Sequence, residues 1–317
     1  MQTLSVKVAR KILEADDIVS FELRPVDDVQ LPPFSAGSHV DVQLRSGLVR
    51  QYSLCNHSDE THRYMIGVLR DPHSRGGSTA MHELQEGDVM QISQPRNHFP
   101  LVHARRSLLF AGGIGITPIL CMAEVLAHDG KDFDMHYCTR SPAKTAFRDR
   151  INSARFGAHV HFHFDDGDAA QKLDLELALA DPDPDTHLYV CGPSGFISYI
   201  ANGARERGWR DEQIHFEYFT VAQPDPATAR SFDVKIASTG RIIHVPEDTS
   251  VTMALSNGGI DIPVSCEQGI CGTCLTRIIE GEPDHRDHFL TDAEKARNDQ
   301  FTPCCSRAKG GILVLDL

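Results

Sequence analysis

Cys266-Glu-Gln-Gly-Ile-Cys-Gly-Thr-Cys274, answered further along by Cys304-Cys-Ser-Arg-Ala-Lys309, decides the reading of the C-terminal third of the chain. The spacing is C-x4-C-x2-C-x29-C, and its first part is that of a plant-type [2Fe–2S] centre. Three ligands wrapping a small anionic cluster from one loop need tight backbone curvature, which Gly269 and Gly272 supply, and the small Thr273 crowds little. Backbone N–H groups exposed by such a loop can hydrogen-bond the cluster sulfurs. Cys266, Cys271, Cys274 and Cys304 are therefore the candidate metal ligands. Cys305 stands next to Cys304, so the fourth ligand could be either, and Cys304 is preferred. A structural zinc site would use two C-x2-C pairs, and only one exists. Five of the nine cysteines fall in this region. An odd number, clustered late in a 317-residue chain, does not describe a secreted disulfide scaffold.

Working outward, residues 232–236 and 241–245 read as a hairpin and a helix is expected from about residue 250, the pattern of a β-grasp domain. Before it, Gln223-Pro-Asp-Pro-Ala-Thr-Ala-Arg230 has the composition of a linker. Further upstream, strand-like runs at 107–111, 133–137, 159–164 and 187–190 alternate with helical stretches, which implies a parallel sheet. The first hundred residues show short alternating strands such as 39–44, as in a small antiparallel barrel. The expected fold class is multi-domain α/β plus β: an antiparallel flavin-binding barrel at 1–102, a parallel-sheet nicotinamide nucleotide domain at 103–222, a linker at 223–230 and a β-grasp plant-type ferredoxin domain at 231–317.

In the middle region, Phe110-Ala-Gly-Gly-Ile-Gly-Ile-Thr-Pro118 joins strand to helix. Thr117 reads as the N-cap and Pro118 as the first helical residue. Gly113 and Gly115 would let a pyrophosphate approach the helix start. Val190-Cys-Gly-Pro-Ser194 repeats the arrangement, with Cys191, Gly192 and Pro193 lining a second turn. No histidine stands at a spacing that would make Cys191 a nucleophile, so its small polarizable side chain is expected beside the nicotinamide. Thr139 and Arg140 follow a strand and could meet the adenosine ribose, which leaves NADH and NADPH both open. His159, His161 and His163 alternate along one strand and read as a half-exposed strand face rather than a metal site.

In the first region, Arg50-Gln-Tyr-Ser-Leu54 places Arg50, Tyr52 and Leu54 on one strand face and Ser53 on the other. Arg50 suits a phosphate, Tyr52 a ring face, and Ser53 a flavin edge, with Gln51 between them. Gly76, Gly77 and Ser78 precede a helix and offer a second phosphate or pyrimidine-edge contact.

Together RQYSL, GGS, GGIGITP, CGP, CEQGICGTC and CCSRAK resemble the phthalate dioxygenase reductase family, in the order flavin–nicotinamide–ferredoxin and over essentially the whole chain. The resemblance implies FMN, NADH and a [2Fe–2S] cluster as cofactors, with electrons passed from NADH through flavin and cluster to a Rieske-type oxygenase, an aromatic-ring dioxygenase or an O-demethylase of the vanillate type. It aligns the first cysteine of the Cys304–Cys305 pair with the ligand. It also brings Phe216-Glu-Tyr-Phe219 near the flavin, with Phe219 as the candidate shield. No general acid or base is required, and no catalytic dyad is evident. Other readings are a reductase for a di-iron hydroxylase or a quinone, and a redox-sensing module. A sensor would not need both nucleotide sites.

The formal net charge is −13, which disfavours nucleic acid and favours a basic protein partner. Residues 231–317 alone hold 13 acidic and 8 basic side chains. The N-terminal segment lacks the apolar core of a signal peptide. The apolar run 107–126 is broken by Gly112, Gly113, Gly115 and Pro118 and reads as strand, turn and helix rather than a membrane span. A monomeric, cytoplasmic electron-transport protein without membrane contact is expected.

Overall fold

The structure is a computed structural model that describes residues 3–27, 29–44, 47–72, 76–219, 230–264, 267, 269–270 and 272–317. The expected linker residues 223–229 and the ligand candidates Cys266 and Cys271 lie outside the described residues. The chain divides into two compact units, residues 1–219 and 220–317.

The first unit opens with strands β1 (Thr3–Ala15), β2 (Ile18–Pro25), β3 (Ser38–Gln43), β4 (Val49–Ser53) and β5 (Tyr64–Leu69), helix α1 (Gly77–Glu83), then β6 (Val89–Ser93) and β7 (Arg96–Asn97). The antiparallel order is β4-β3-β6-β1-β2-β5, with β7 on β3. A bridge between Leu54 and Ile66 carries the end of β4 back to β5 and closes the barrel. Alternate side chains explain the closure: Val6 and Val8, Val40 and Val42, and Leu54 with Ile66 point inward and are buried.

The sheet that follows consists of β8 (Arg106–Gly112), β9 (Asp132–Thr139), β10 (Val160–Phe164), β11 (Thr186–Gly192) and β12 (Ile214–Tyr218), all parallel, in the order β10-β9-β8-β11-β12. The connections contain α2 (Ile116–His128), α3 (Arg148–Ser153), α4 (Leu175–Ala178) and α5 (Ser194–Glu206). Both faces are covered, which is why residues 108–111 of β8 are apolar without alternation: Leu109 and Ala111 join the core that includes α2, whereas Leu108 and Phe110 join the core that includes α5. The α2-side core also takes in Ile18, Met65 and Phe99 from the barrel, so barrel and parallel sheet share apolar packing. The apolar run 107–126 resolves into β8, a 3-10 turn at Gly113–Gly115 and α2. No helix among the described residues is long and apolar enough to cross a membrane.

In the histidine-rich segment, His161 and His163 lie on β10, and His163 Nε2 is 3.0 Å from His136 Nδ1 of β9. His136 stacks in turn on Phe110.

The second unit contains β13 (Phe232–Ile236), β14 (Ile242–Val245), helix α6 (Val251–Asn257), β15 (Thr276–Glu280), β16 (Pro283–Asp284), helix α7 (Asp292–Ala296), β17 (Gln300–Phe301), β18 (Arg307–Ala308) and β19 (Ile312–Leu315). The sheet order is β14-β13-β19-β15-β17, and β13 runs parallel to β19. Ser250 caps α6, its side chain accepting from Met253 N. Val251 and Leu255 bury the helix against Val234, Val245 and Leu313. This is the expected β-grasp arrangement.

The helix start at α2 corrects one expectation. Gly113 takes a positive φ of 54° and turns the chain into the 3-10 segment, so α2 begins at Ile116 with Gly115 as its cap. Thr117 is thus inside the first turn. Its hydroxyl donates back to Ile114 O at 3.2 Å instead of capping, and its methyl packs on Gly67 of the barrel. Pro118 is tolerated because first-turn N–H groups have no intrahelical partner.

Candidate functional site: where the glycine turns meet the barrel strand

In the order β10-β9-β8-β11-β12, the first strand of the sheet neighbours the fourth, so the topology reverses between β8 and β11. Ligands of open parallel sheets bind beyond the strand ends at that point. Both glycine turns stand there. A Cβ on Gly192 would lie 2.9 Å from Gly112 Cα, and one on Gly115 would collide with the carbonyl of Cys191. The two turns are therefore packed backbone to backbone, and only glycine permits it. Gly113, Gly115, Cys191, Gly192 and Pro193 come together on this edge, Pro193 as the cap of α5.

Thr139 and Arg140 lie at the same end of the sheet, and they differ in what they do. Thr139 is buried, and its hydroxyl is 2.7 Å from Thr145 Oγ1 and donates to Ser141 O. It holds its own turn, while Arg140 is exposed beside it.

The barrel strand meets this edge. Ser53 is buried on β4, and its Oγ donates to Glu217 Oε2 at 3.5 Å, across 164 residues of chain. Glu217 pairs in register with Cys191 between β12 and β11. Burial pushes the Glu217 carboxyl up to about 8, and the Ser53 hydrogen bond only partly offsets it. Cys191 is fully buried, and burial first, the nearby Glu217 second, push its thiol well above its ordinary value. It is no thiolate nucleophile. Phe219, just past β12, is partly buried against the α2-side core.

Glu217 is the residue that sequence reasoning missed. It lies within Phe216–Phe219, the segment that the resemblance brings near the flavin, but nothing local marks out its carboxylate.

Elsewhere on the barrel, Arg50 packs on the start of α1. A Cβ on Gly77 would lie 2.7 Å from Arg50 Nε, and Gly76 enters the helix with φ 95°. The two sequence segments chosen for phosphate contact are thus adjacent, and Ser78 Oγ accepts from Asp71 N. Tyr52 packs on the barrel core. Gln51, on the face of Ser53, donates to Asp41 Oδ1 at 3.0 Å.

In the second unit, Cys274 and Cys304 are buried free thiols. The neighbouring Cys274 thiol first, then Cys305, and then burial raise the Cys304 thiol, so Cys304 adjoins both. Cys305 is turned toward Thr302 and Ser306, with Sγ 3.3 Å from Thr302 Oγ1, and it packs on Gly269. Gly269 and Gly272 both take positive φ, 71° and 67°, the curvature expected of a cluster loop. Two adjoining buried thiols beside such a loop fit a thiolate-held iron–sulfur centre.

These elements define a nicotinamide-dependent flavin iron–sulfur oxidoreductase. Residues 234–309 match the family described as the 2Fe-2S iron-sulfur cluster binding domain, and residues 109–202 match the oxidoreductase NAD-binding domain. The chain is 55% identical over 316 residues to the vanillate O-demethylase oxidoreductase of Pseudomonas sp. (strain HR199 / DSM 7063), covering 99% of this chain and 100% of that protein. It is 39% identical over 317 residues to the phthalate dioxygenase reductase of Burkholderia cepacia, covering 99% and 97%. A solved phthalate dioxygenase reductase, described as a modular structure for electron transfer from pyridine nucleotides to [2Fe-2S], superimposes with a TM-score of 0.81 at 39% identity, covering 99% of this chain and 98% of that one. The chain belongs to the phthalate dioxygenase reductase family, the electron-supplying components of Rieske-type oxygenases. Its cofactors are FMN, NADH and a [2Fe–2S] cluster.

Proposed function

We propose that this chain is the reductase component for an aromatic O-demethylase of the vanillate type. What supports the partner class is the 55% identity to a vanillate O-demethylase oxidoreductase along the full length of both chains. What supports the site is the Ser53–Glu217 contact, which joins the flavin strand to the nicotinamide edge. When bound, the flavin would supply acceptance of a hydride, an electron pair with its proton, and the cluster would supply one-electron carriage.

The residues divide that work. Arg50, with Gly76, Gly77 and Ser78, holds the flavin phosphate; Gln51, Tyr52 and Ser53 line the ring, and Phe219 shields it. Gly113, Gly115, Gly192 and Pro193 leave room for the pyrophosphate, with Thr117 supporting the first turn from behind. Thr139 shapes the ribose end and Arg140 contacts it. Cys191 gives the nicotinamide a dry, uncharged floor. Cys266, Cys271, Cys274 and Cys304 ligate the cluster, with Cys305 left to its hydroxyl partners. The functional division follows the sequence boundaries, 1–102, 103–222 and 231–317 with a linker at 223–230. A monomer in the cytoplasm suits a carrier that draws on NADH and meets its oxygenase by diffusion.

The test is reconstitution with two oxygenase components, one from a vanillate O-demethylase and one from a phthalate dioxygenase, with product formed per NADH as the readout. Transfer to the demethylase component is expected to be at least tenfold faster and to slow as salt is raised, because the ferredoxin part carries 13 acidic against 8 basic residues. The opposite ranking, or a rate indifferent to salt, would refute it.

A further inference from the structure

From the end of β16 toward α7 the chain runs through Asp284-His285-Arg286-Asp287. The Asp287 side chain is completely enclosed. Its Oδ2 accepts from Leu290 N at 2.8 Å. Its Oδ1 accepts from Ser306 Oγ at 3.4 Å and lies 3.4 Å from His285 Nδ1. Ser306, two residues past Cys304, is itself buried. Its hydroxyl also accepts from Arg286 N at 3.1 Å and meets Thr302 Oγ1 at 3.1 Å. On its other side Asp287 presses on the cluster loop: a Cβ on Gly269 would lie 3.0 Å from both Asp287 Cα and Cβ, and His288 N donates to Gly269 O at 3.0 Å. One carboxylate therefore sits where the loop leading to Cys274, the segment holding Cys304 and the turn into α7 converge.

The charge is the informative part. A buried carboxylate costs free energy unless its hydrogen bonds are complete, and Asp287 accepts on both oxygens, from Leu290 N and from Ser306 Oγ. Tying buried backbone together does not need charge. In the barrel the fully buried Asn56 does that work with a neutral amide, accepting from Met65 N at 2.8 Å and donating to Arg63 O at 3.3 Å. Reducing an iron–sulfur cluster adds negative charge to it. A carboxylate enclosed at the same loop opposes that addition in a low-dielectric setting, and charge and hydrogen bonding around a cluster set its potential.

We propose that Asp287 is a positioning residue for the cluster: it joins the Gly269 loop to the Cys304 segment, and its buried charge holds the cluster's reduction potential down. The proposal rests on the assignment of Cys274 and Cys304 as ligands.

Full-length holoprotein carrying Asp287→Asn keeps shape and loses charge, its amide oxygen accepting from Leu290 N and its NH2 facing Ser306 Oγ, whose hydroxyl can turn toward Thr302 Oγ1. It is expected to hold wild-type iron and sulfide. Its cluster potential, measured by redox titration followed by electron paramagnetic resonance, should rise enough to shift the one-electron equilibrium at least tenfold, about 59 mV for a one-electron couple. Ser306→Ala keeps the charge and cuts the tie. It should lose its cluster to a chelator at least tenfold faster than wild type without a raised potential. An Asn variant with an unmoved potential, or a Ser306→Ala variant with the same upward shift, overturns the electrostatic role. Wild-type cluster retention in Ser306→Ala overturns the positioning role. A Cys304→Ala protein that retains its cluster would instead mark the ligand assignment as the failure.

Discussion

The two units build their sites by opposite means. In the first unit the site is made by leaving side chains out: Gly115 against the Cys191 carbonyl and Gly192 against Gly112 on the edge between β8 and β11, and Gly77 against the Arg50 side chain on the barrel. In the second unit the site is made by putting groups in: adjoining thiols, a buried carboxylate and hydroxyls on both sides of Cys304. Flat organic cofactors present long edges and need close backbone approach, so any added atom there is steric and its penalty falls on binding and folding together. A compact anionic cluster needs a fixed set of ligands and a field, so ligand changes act all-or-none and changes around the ligands act by degree.

That contrast can be broken most easily at the ligands. Cys304→Ala should abolish cluster absorbance and electron delivery to the oxygenase while NADH still bleaches the flavin. Cys305→Ala should retain both. A visible spectrum of each variant before and after NADH reads the result, and the reverse pattern would exchange the two cysteines' roles.

Next in size is Gly115→Ala. The backbone there, φ −62°, suits alanine, so the effect isolates the collision with Cys191. A loss of about 1–3 kcal/mol is expected from overpacking a tight site. It should appear as a lowered thermal midpoint together with slower flavin reduction by NADH, with the cluster spectrum unchanged. A variant as stable and as fast as the parent would mean the turns are not in forced contact.

The smallest effect is at Glu217. Its carboxyl, raised to about 8, stays protonated in the folded chain where the unfolded chain has already released its proton. The folded state binds more protons between about 4.5 and about 8, so this group's contribution to stability falls as pH rises through that window and levels off above it. In the proposed site, ionisation would set a negative charge beside Ser53 and so beside the flavin edge. Flavin reduction by NADH should therefore slow as pH passes about 8, and Glu217→Gln should remove that inflection and flatten the stability decline. A stopped-flow pH series on both proteins checks it.

Much of this was legible in the sequence because the signals were local. Val234, Ile236 and the Ser250 cap specify hairpin and helix through alternation and capping, and the spacing of the cysteines and glycines is a property of short segments. What escaped depended on partners far along the chain. Thr117 reads as a cap, yet Gly113 diverts the backbone one turn earlier and Gly67, from the barrel, receives its methyl. Glu217 has no local signature at all, since Ser53 and Cys191 give it meaning only after β4 and β11 are brought beside β12. Asp287 is the same case, defined by Gly269 on one side and Ser306 on the other.

The central claim, that this chain conducts electrons from a nicotinamide through a flavin to an iron–sulfur cluster, is tested most directly by an anaerobic NADH titration of the purified protein followed in the visible region. The account predicts a flavin band and a broad cluster absorbance in the oxidised protein, both bleached by NADH, with the electron paramagnetic resonance signal of a reduced [2Fe–2S] centre appearing as they fade. A flavin that bleaches while the cluster stays oxidised, or freshly isolated protein with no cluster absorbance, would contradict it.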